Sequence, residues 1–470
     1  MSNFISLSKK DLEYIFGENS FFNIPENWYA SGVSIDSRTL NSENLFVCIK
    51  GENFDAHTKV EEVFEKKCAA CVVEKEWFNR NINDYPNKPF IVVENTIKAF
   101  GEIAQFHRLR FDIPIIAVAG SNGKTTTKDF IAHLLSTQYN VLKTSKNFNN
   151  QIGVPMMLLE INEEHQVAVI EIGTNEPGEI DILSRMLVPT HGIITNIGKE
   201  HLEKLIDLDG VELEETYLFG YLKKHEGVAF LNFDDERLRK YSRILDKYIS
   251  FGTDENANIN SKIVLDEQLH PSLSFQVENF TIQAKLQPQG KSFGLSAIAS
   301  TAVAIHFGIS KENIEKGLST FEADSSNSYG RLLFEQIGSN IIINDCYNAN
   351  PNSMENALNT LFEMKCTGKK IAVLGDMLEL GEAAFNEHKE IIHKAAKSAN
   401  IVFIYGKQFG EVFNRENYFN QENFYKSLHY FNDKSILINE LKKTILENDI
   451  LLVKGSRGMK LEEIILEIKK

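Results

Sequence analysis

Lys124 and Thr125 are the residues best placed to do chemistry, in the stretch Pro114-Ile-Ile-Ala-Val-Ala-Gly120-Ser121-Asn122-Gly123-Lys124-Thr125-Thr126-Thr127. A short apolar run, Ile115 to Ala119, breaks into the turn 120–123 and then into a helical pattern running through Lys128-Asp-Phe-Ile-Ala-His-Leu-Leu. A strand feeding a glycine-containing turn and a helix N-terminus leaves backbone N–H groups to cradle phosphate. Lys124 would neutralise the outer phosphates, and the Thr125 hydroxyl is placed to bind Mg²⁺. One position departs from the full phosphate-loop pattern: Val118 stands where a glycine is expected. The alternative is an ordinary glycine-containing strand-to-helix turn.

Other candidates follow other apolar runs. The run Val167-Ala-Val-Ile-Glu171 ends in a carboxylate that could reach a metal held by the loop, or could simply face solvent. Gly192-Ile-Ile-Thr-Asn-Ile-Gly198 leads to His201, a metal-ligand candidate by its place past a strand end, although a lone histidine is usually structural. The amide-rich loop Asn147-Phe-Asn149-Asn150 could orient a polar substrate, with turn chemistry as its plainer explanation. Asp345, Asn348 and Asn350 share the same loop-after-strand character. Lys454-Gly-Ser-Arg457-Gly offers two cations with two flexible glycines, or a solvated basic turn.

These residues need strands to hold them. Residues up to about 108 alternate short strands (45–49, 70–73, 90–93) with helical stretches (60–67, 97–109). Near-continuous apolar runs at 115–119, 167–172, 192–197 and 228–231 predict a parallel sheet covered on both faces. The polar stretch Glu322-Ala-Asp-Ser-Ser-Asn-Ser-Tyr-Gly330 reads as a linker, after which runs at 340–344, 371–374, 401–405 and 450–453 begin a further α/β pattern. The expected fold is α/β in three domains, 1–108, 109–322 and 323–470. A central P-loop-type, mostly parallel sheet is flanked by a small N-terminal α/β domain and a C-terminal Rossmann-like one.

At 470 residues, 43% apolar and 24% charged, the chain can build real cores. A net charge of −15 argues against a general nucleic-acid or anionic-membrane surface, so an anionic substrate must meet local cations and backbone N–H groups. No apolar leader or membrane-length run is apparent, and a cytoplasmic protein is expected. Five scattered cysteines predict no disulfide framework, and Cys68-Ala-Ala-Cys71 reads as small buried side chains before a strand.

The ordered motifs resemble the ATP-dependent Mur ligases of bacterial peptidoglycan synthesis, over essentially the whole chain. The resemblance rests on Asp36-Ser37-Arg38, Phe54-Asp-Ala-His57, Gly120-Ser-Asn-Gly-Lys-Thr-Thr126, Asn147-Phe-Asn-Asn150, Glu171-Ile-Gly, His201-Leu-Glu, Gly330-Arg331, Asp345-Cys-Tyr-Asn-Ala-Asn-Pro351, Gly375-Asp-Met-Leu-Glu-Leu-Gly381 and Lys454-Gly-Ser-Arg-Gly-Met459. Tyr-Asn-Ala-Asn-Pro and Gly-Asp-Met-Leu-Glu-Leu-Gly are the specific elements. They imply the branch whose substrates are UDP-N-acetylmuramoyl-tripeptide and D-Ala-D-Ala.

The resemblance implies that Ser37 and Arg38 face the nucleotide sugar. It gives residues 120–126 to Mg-ATP, with Thr125, Glu171 and His201 at the metals, and it puts Asn232 and Asp234 at the adenosine. Arg331 and Asp345 would reach the ATP. The polar substrates would be met by Asn147, Asn149, Asn150, Asn348, Asn350, Lys454 and Arg457. Lys124, Glu171, His201, Arg331 and Asp345 are thereby the expected catalytic set, in a monomer with ATP and Mg²⁺ as cofactors.

Two positions depart from the family. Its usual carbamylated lysine, 14 residues past the histidine, is replaced here by Glu215, either a permanent carboxylate for the second Mg²⁺ or a surface residue. The usual amides near the adenine are replaced by Ser292, Phe293 and Ser296, with Phe293 a candidate to stack on the base. The other readings are a catalytically weak binding protein of the same fold and a same-fold ligase for another acid.

Overall fold

The computed structural model describes residues 5–51, 54–277, 280–323, 330–416, 418 and 427–470. Three larger sheets carry the chain. The first, of five strands, runs in the order Phe21–Phe22, Phe90–Val93, Ala70–Glu74, Leu45–Val47, Val33–Ser34, parallel except for its first pair. Cys48, Cys68 and Cys71 pack as free thiols in the apolar cluster on one face of this sheet. Burial, with Cys48 and Cys68 alongside, pushes the Cys71 thiol well above its ordinary range.

The second sheet has nine strands, in the order Phe280–Lys285, Pro271–Val277, Ile259–Leu265, Tyr248–Gly252, Val228–Asn232, His191–Ile194, Ile115–Ala119, Val167–Glu171, Val141–Lys143. From Ile259–Leu265 to Val141–Lys143 every pairing is parallel, whereas the last three strands form an antiparallel meander. The buried runs Ile115–Ala119 and, up to its terminal Glu171, Val167–Glu171 are apolar because helices cover both faces. The meander was not among the expected strands. Its residues alternate buried and exposed, so no continuous apolar run marks it.

The third sheet, of six strands, orders as Leu333–Ile337, Asn340–Asp345, Ile450–Lys454, Lys370–Gly375, Ile401–Tyr405, Leu428–Phe431, antiparallel only at its first pair. Most of the expected linker, 324–329, lies outside the described residues. In both larger sheets the strand order reverses near the middle, and a crevice opens at the carboxyl ends of the strands there. The candidate residues cluster at that crevice.

The helix Thr96–Arg108 joins the first two sheets. Its residues Ala99, Phe100, Ile103 and Ala104 share one apolar cluster with Ile91 of the first sheet and Ile115 of the second. No helix among the described residues is long and apolar enough to cross a membrane.

Candidate active site

The phosphate loop leaves the strand Ile115–Ala119 and enters the helix Lys124–Leu135. Gly120 (φ +110°) and Gly123 (φ +80°) sit where L side chains are strained. A Cβ on Gly120 would also lie 2.3 Å from Thr195 Oγ1 on the next strand's loop. That loop braces the turn, because Ser121 N donates to Asn196 O and Asn122 N to Asn196 Oδ1. Val118, where the full pattern has a glycine, is a fully buried strand residue rather than part of the turn.

Lys124 is held inside a ring of carboxylates. Its Nζ donates to Gly120 O and lies 3.5 Å from Glu200 Oε2. Burial disfavours its charge, but Glu200, Glu215 and Glu171 outweigh that and raise its pKa. Glu171 is 3% exposed and not solvent-facing; it accepts from Thr125 Oγ1 at 2.7 Å and from Asn149 Nδ2 at 2.9 Å. Asn150 instead accepts from Ile152 N and Gly153 N, fixing the turn into the next helix.

Glu215 is not a surface residue. It ends the helix Leu208–Glu215 fully buried beneath the loop, with Oε2 accepting from Gly120 N at 2.8 Å. Burial, reinforced by Glu200 and opposed by Lys124, pushes its carboxyl up to about 8. Glu200 was not among the expected site residues, although it adjoins His201 in sequence. It is 6% exposed, and its Oε2 lies 4.0 Å from His201 Nε2.

Among the described residues no three His, Cys, Asp or Glu side chains converge as a preformed metal cage. The residues nonetheless fit a divalent cation. Glu200 and Glu215 set two buried carboxyl groups against one another, neither Oε1 accepts from any other group of the protein, and two close buried carboxylates are costly without a cation. Mg²⁺ is usually bound by one or two carboxylates plus substrate phosphates, and the protein's share of that donor set is here.

The third sheet supplies the opposite wall. Asp345 accepts from Leu332 N at 3.0 Å and from Lys454 Nζ at 2.7 Å. Lys454 is 1% exposed and also donates to Asn348 O, so it is an internal brace and not part of a solvated basic turn. Arg457 pairs with Glu462 at 2.8 Å. Arg331 lies over the Tyr347 ring, 3.7 Å from its centroid. Asn350 caps the helix Pro351–Glu363, and its Nδ2 reaches Asn122 Oδ1 across the cleft at 3.0 Å.

One cavity of 1230 Å³ is lined by residues 121–126 and by Asn147, Asn149, Asn150, Glu171, His201, Asn232, Asp234, Arg331, Asp345, Asn348, Asn350, Lys454 and Arg457. Asn232 donates to Thr195 O, and Asp234 accepts from the backbone of Thr253 and Asp254, so both shape that wall. Ser292 and Ser296 also line it, and Ser296 accepts from Thr127 Oγ1. Phe293, 4% exposed, packs into the core and also borders the cavity. Ser37 and Arg38 do not line this cavity. Ser37 is buried, and exposed Arg38 pairs with Asp36 at 2.7 Å.

A phosphate loop facing a second α/β unit across a carboxylate-lined cleft defines a ligase architecture, and the chain belongs to the Mur ligase family. Residues 118–304 match the Mur ligase middle domain, and residues 330–457 match the glutamate ligase domain of Mur ligases. The UDP-N-acetylmuramoyl-tripeptide–D-alanyl-D-alanine ligase of Bacillus subtilis (strain 168) is 35% identical over 442 residues, 93% of each chain. Among solved structures, MurF from Acinetobacter baumannii superposes with a TM-score of 0.87 at 28% identity, covering 99% of both chains. MurF ligase from Thermotoga maritima in complex with ADP shares the fold, with a TM-score of 0.80 at 23% identity over 93% of this chain and 96% of that one.

Proposed function

We propose that the protein joins D-Ala-D-Ala to the terminal carboxylate of UDP-N-acetylmuramoyl-tripeptide at the expense of ATP, in the cytoplasm, during peptidoglycan precursor synthesis. One observation carries the reading. Lys124, Thr125, Glu171 and His201 on one wall, and Arg331 and Asp345 on the other, line the same cleft. The relatives named for this reaction, and the neighbour solved with ADP, support the substrates and the nucleotide.

In the first step a carboxylate oxygen of the tripeptide attacks the γ-phosphorus, the β–γ bridging bond breaks, and ADP leaves. The dipeptide amine then attacks the acyl phosphate carbonyl, loses a proton, and expels inorganic phosphate. Both steps build negative charge on oxygens. Lys124 and the first N–H groups of the helix Lys124–Leu135 stabilise it in a fixed, partly dry setting. Arg331 serves the same purpose from the facing wall.

Thr125, Glu171, His201 and Glu215 would hold Mg²⁺, which when bound screens the phosphate charge. Glu215 would give the second ion a permanent carboxylate, so turnover should not depend on added bicarbonate. Asn348 and Asn350 would border the dipeptide, while Ser37 and Arg38 would meet the UDP end away from the cleft. Closure of the third unit excludes water, which otherwise hydrolyses the acyl phosphate.

Phosphate release is the test, measured with ATP and UDP-N-acetylmuramoyl-tripeptide in the presence and absence of D-Ala-D-Ala. Release that requires the dipeptide, with a ligated product of matching amount, is expected. Binding of ATP without any dipeptide-dependent release would overturn the reading.

A further inference from the structure

His201 is held by a residue from across the cleft. Its Nδ1 lies 2.6 Å from Glu379 Oε2, which leaves Nε2 as the ring nitrogen on the Glu200 and Lys124 side. His201 follows the second sheet's strand His191–Ile194, whereas Glu379 follows the third sheet's strand Lys370–Gly375. Both residues have left-handed backbone, φ 48° and 65°, which costs on the order of 1 kcal/mol each for non-glycine residues. The surroundings enforce it. Glu203 N donates to Glu379 O at 3.0 Å, and a Cβ on Gly381 would come within 2.9 Å of Glu203 Cα.

The Glu379 side chain is 55% exposed, so as a simple ion pair it would add little stability. Its distinctive effect is on orientation. An imidazole that donates one N–H to a carboxylate presents the lone pair of its other nitrogen in a fixed direction, the usual support of a metal-ligating histidine.

We propose that Glu379 is a positioning residue: it fixes His201 with Nδ1–H donated across the cleft, so that Nε2 is offered to the divalent cation of the bound nucleotide only when the third unit is docked. The proposal rests on the ATP-dependent reading above. Cation binding and docking then favour one another by the same factor, since coupling between two equilibria is reciprocal.

Binding of a fluorescent ADP analogue to the full chain, titrated with Mg²⁺, tests this without turnover. Glu379→Ala should raise the Mg²⁺ concentration for half-maximal binding about tenfold, the usual scale for such partners, and leave Mg²⁺-free affinity unchanged. Glu379→Gln, whose amide oxygen still accepts from Nδ1–H, should restore most of the loss. In a Glu379→Ala/His201→Ala double variant the defect should match that of His201→Ala alone, because the two act as one unit.

An unshifted Mg²⁺ curve in Glu379→Ala, or a shift that is equal without Mg²⁺, overturns the proposal. So does additivity in the double variant. Thermal melting of each variant identifies a folding defect, and Glu379→Gln then carries the comparison. Absence of Mg²⁺-dependent ADP binding in the unsubstituted protein would overturn the ATP reading itself.

Discussion

The first and third units meet the middle one through surfaces of opposite character. Toward the first unit the seam is apolar. The helix Thr96–Arg108 lies in a continuous cluster, and a Cβ on Gly101 would come within 2.5 Å of the Met186 methyl carbon. Its polar contacts are few: Gln105 Nε2 donates to Arg185 O, and the buried Arg108 guanidinium donates to the carbonyls of Phe111 and Ile113.

Toward the third unit the contacts around the cleft are polar. Asn350 reaches Asn122, Lys199 N donates to Asn352 Oδ1, Lys199 pairs with Glu387, and His201 with Glu379. Leu202, Leu205 and Val211 add a smaller apolar contact with the third unit's core. Apolar burial scales with area and has no preferred direction, which suits a permanent joint. Water competes for polar contacts, which suits a joint that must open for substrate entry.

Phe100→Ala should produce the largest effect, because it empties part of the shared cluster. A buried Phe→Ala change costs about 3–5 kcal/mol. The chain's two tryptophans, Trp28 and Trp77, both precede that helix. Their fluorescence in urea should therefore report the first unit, while nucleotide binding reports the middle one. If the seam is one cooperative core, both signals shift together in Phe100→Ala. Separate midpoints would break the comparison.

Acid offers the next largest effect. His191 begins a middle-sheet strand, with Nε2 3.1 Å from His306 Nε2 and its ring packed near Phe230 and Phe307. Burial, with a smaller contribution from His306, pulls its pKa down to about 4. The unfolded chain therefore takes up the proton first as pH falls from about 6.5. Stability from this group is complete above that pH and is lost down to about pH 4, by about 3 kcal/mol. The buried Glu215 carboxyl, raised to about 8, contributes in the opposite sense over part of this range, so the loss is read as the difference in tryptophan-monitored stability between the unsubstituted chain and a His191 variant. A His191→Phe variant should flatten the profile.

Much of this was legible in the sequence, for definable reasons. Parallel strands largely covered on both faces are apolar on both, so Ile115–Ala119, Phe90–Val93 and Ile401–Tyr405 stood out as runs with their observed bounds. The meander 259–285 escaped because half of each strand faces outward. Lys124, Glu171 and Asp345 were findable because they follow such runs directly.

Glu200 and Glu379 were not singled out, since their roles depend on which elements meet across the cleft. Glu215 shows the same limit from the other side. The helix Leu208–Glu215 carries Glu212, Glu214 and Glu215, an acidic pattern that would ordinarily be solvated, yet all three are buried. Glu214 accepts from Gly178 N and Ile180 N, and Glu212 pairs with Arg237 and Lys240. Partners distant in sequence decide that burial.

The smallest effect on stability should come from the polar seam, and it sharpens the contrast most. Lys199 Nζ and Glu387 Oε1 are 2.5 Å apart, with the lysine side chain 38% exposed. A partly exposed pair of this kind is worth about 0.2–1 kcal/mol. Glu387→Gln should therefore leave the urea midpoint of the whole chain, read by far-UV circular dichroism, nearly unchanged. The same fraction of a kilocalorie has a larger consequence if it biases an opening equilibrium, because 1 kcal/mol is about a fivefold change in population. Ligase turnover in Glu387→Gln should fall by up to about fivefold, with the loss strongest at low substrate, where binding has not already driven closure. A stability loss as large as that of Phe100→Ala, with turnover preserved, would mean that this seam too is a permanent joint.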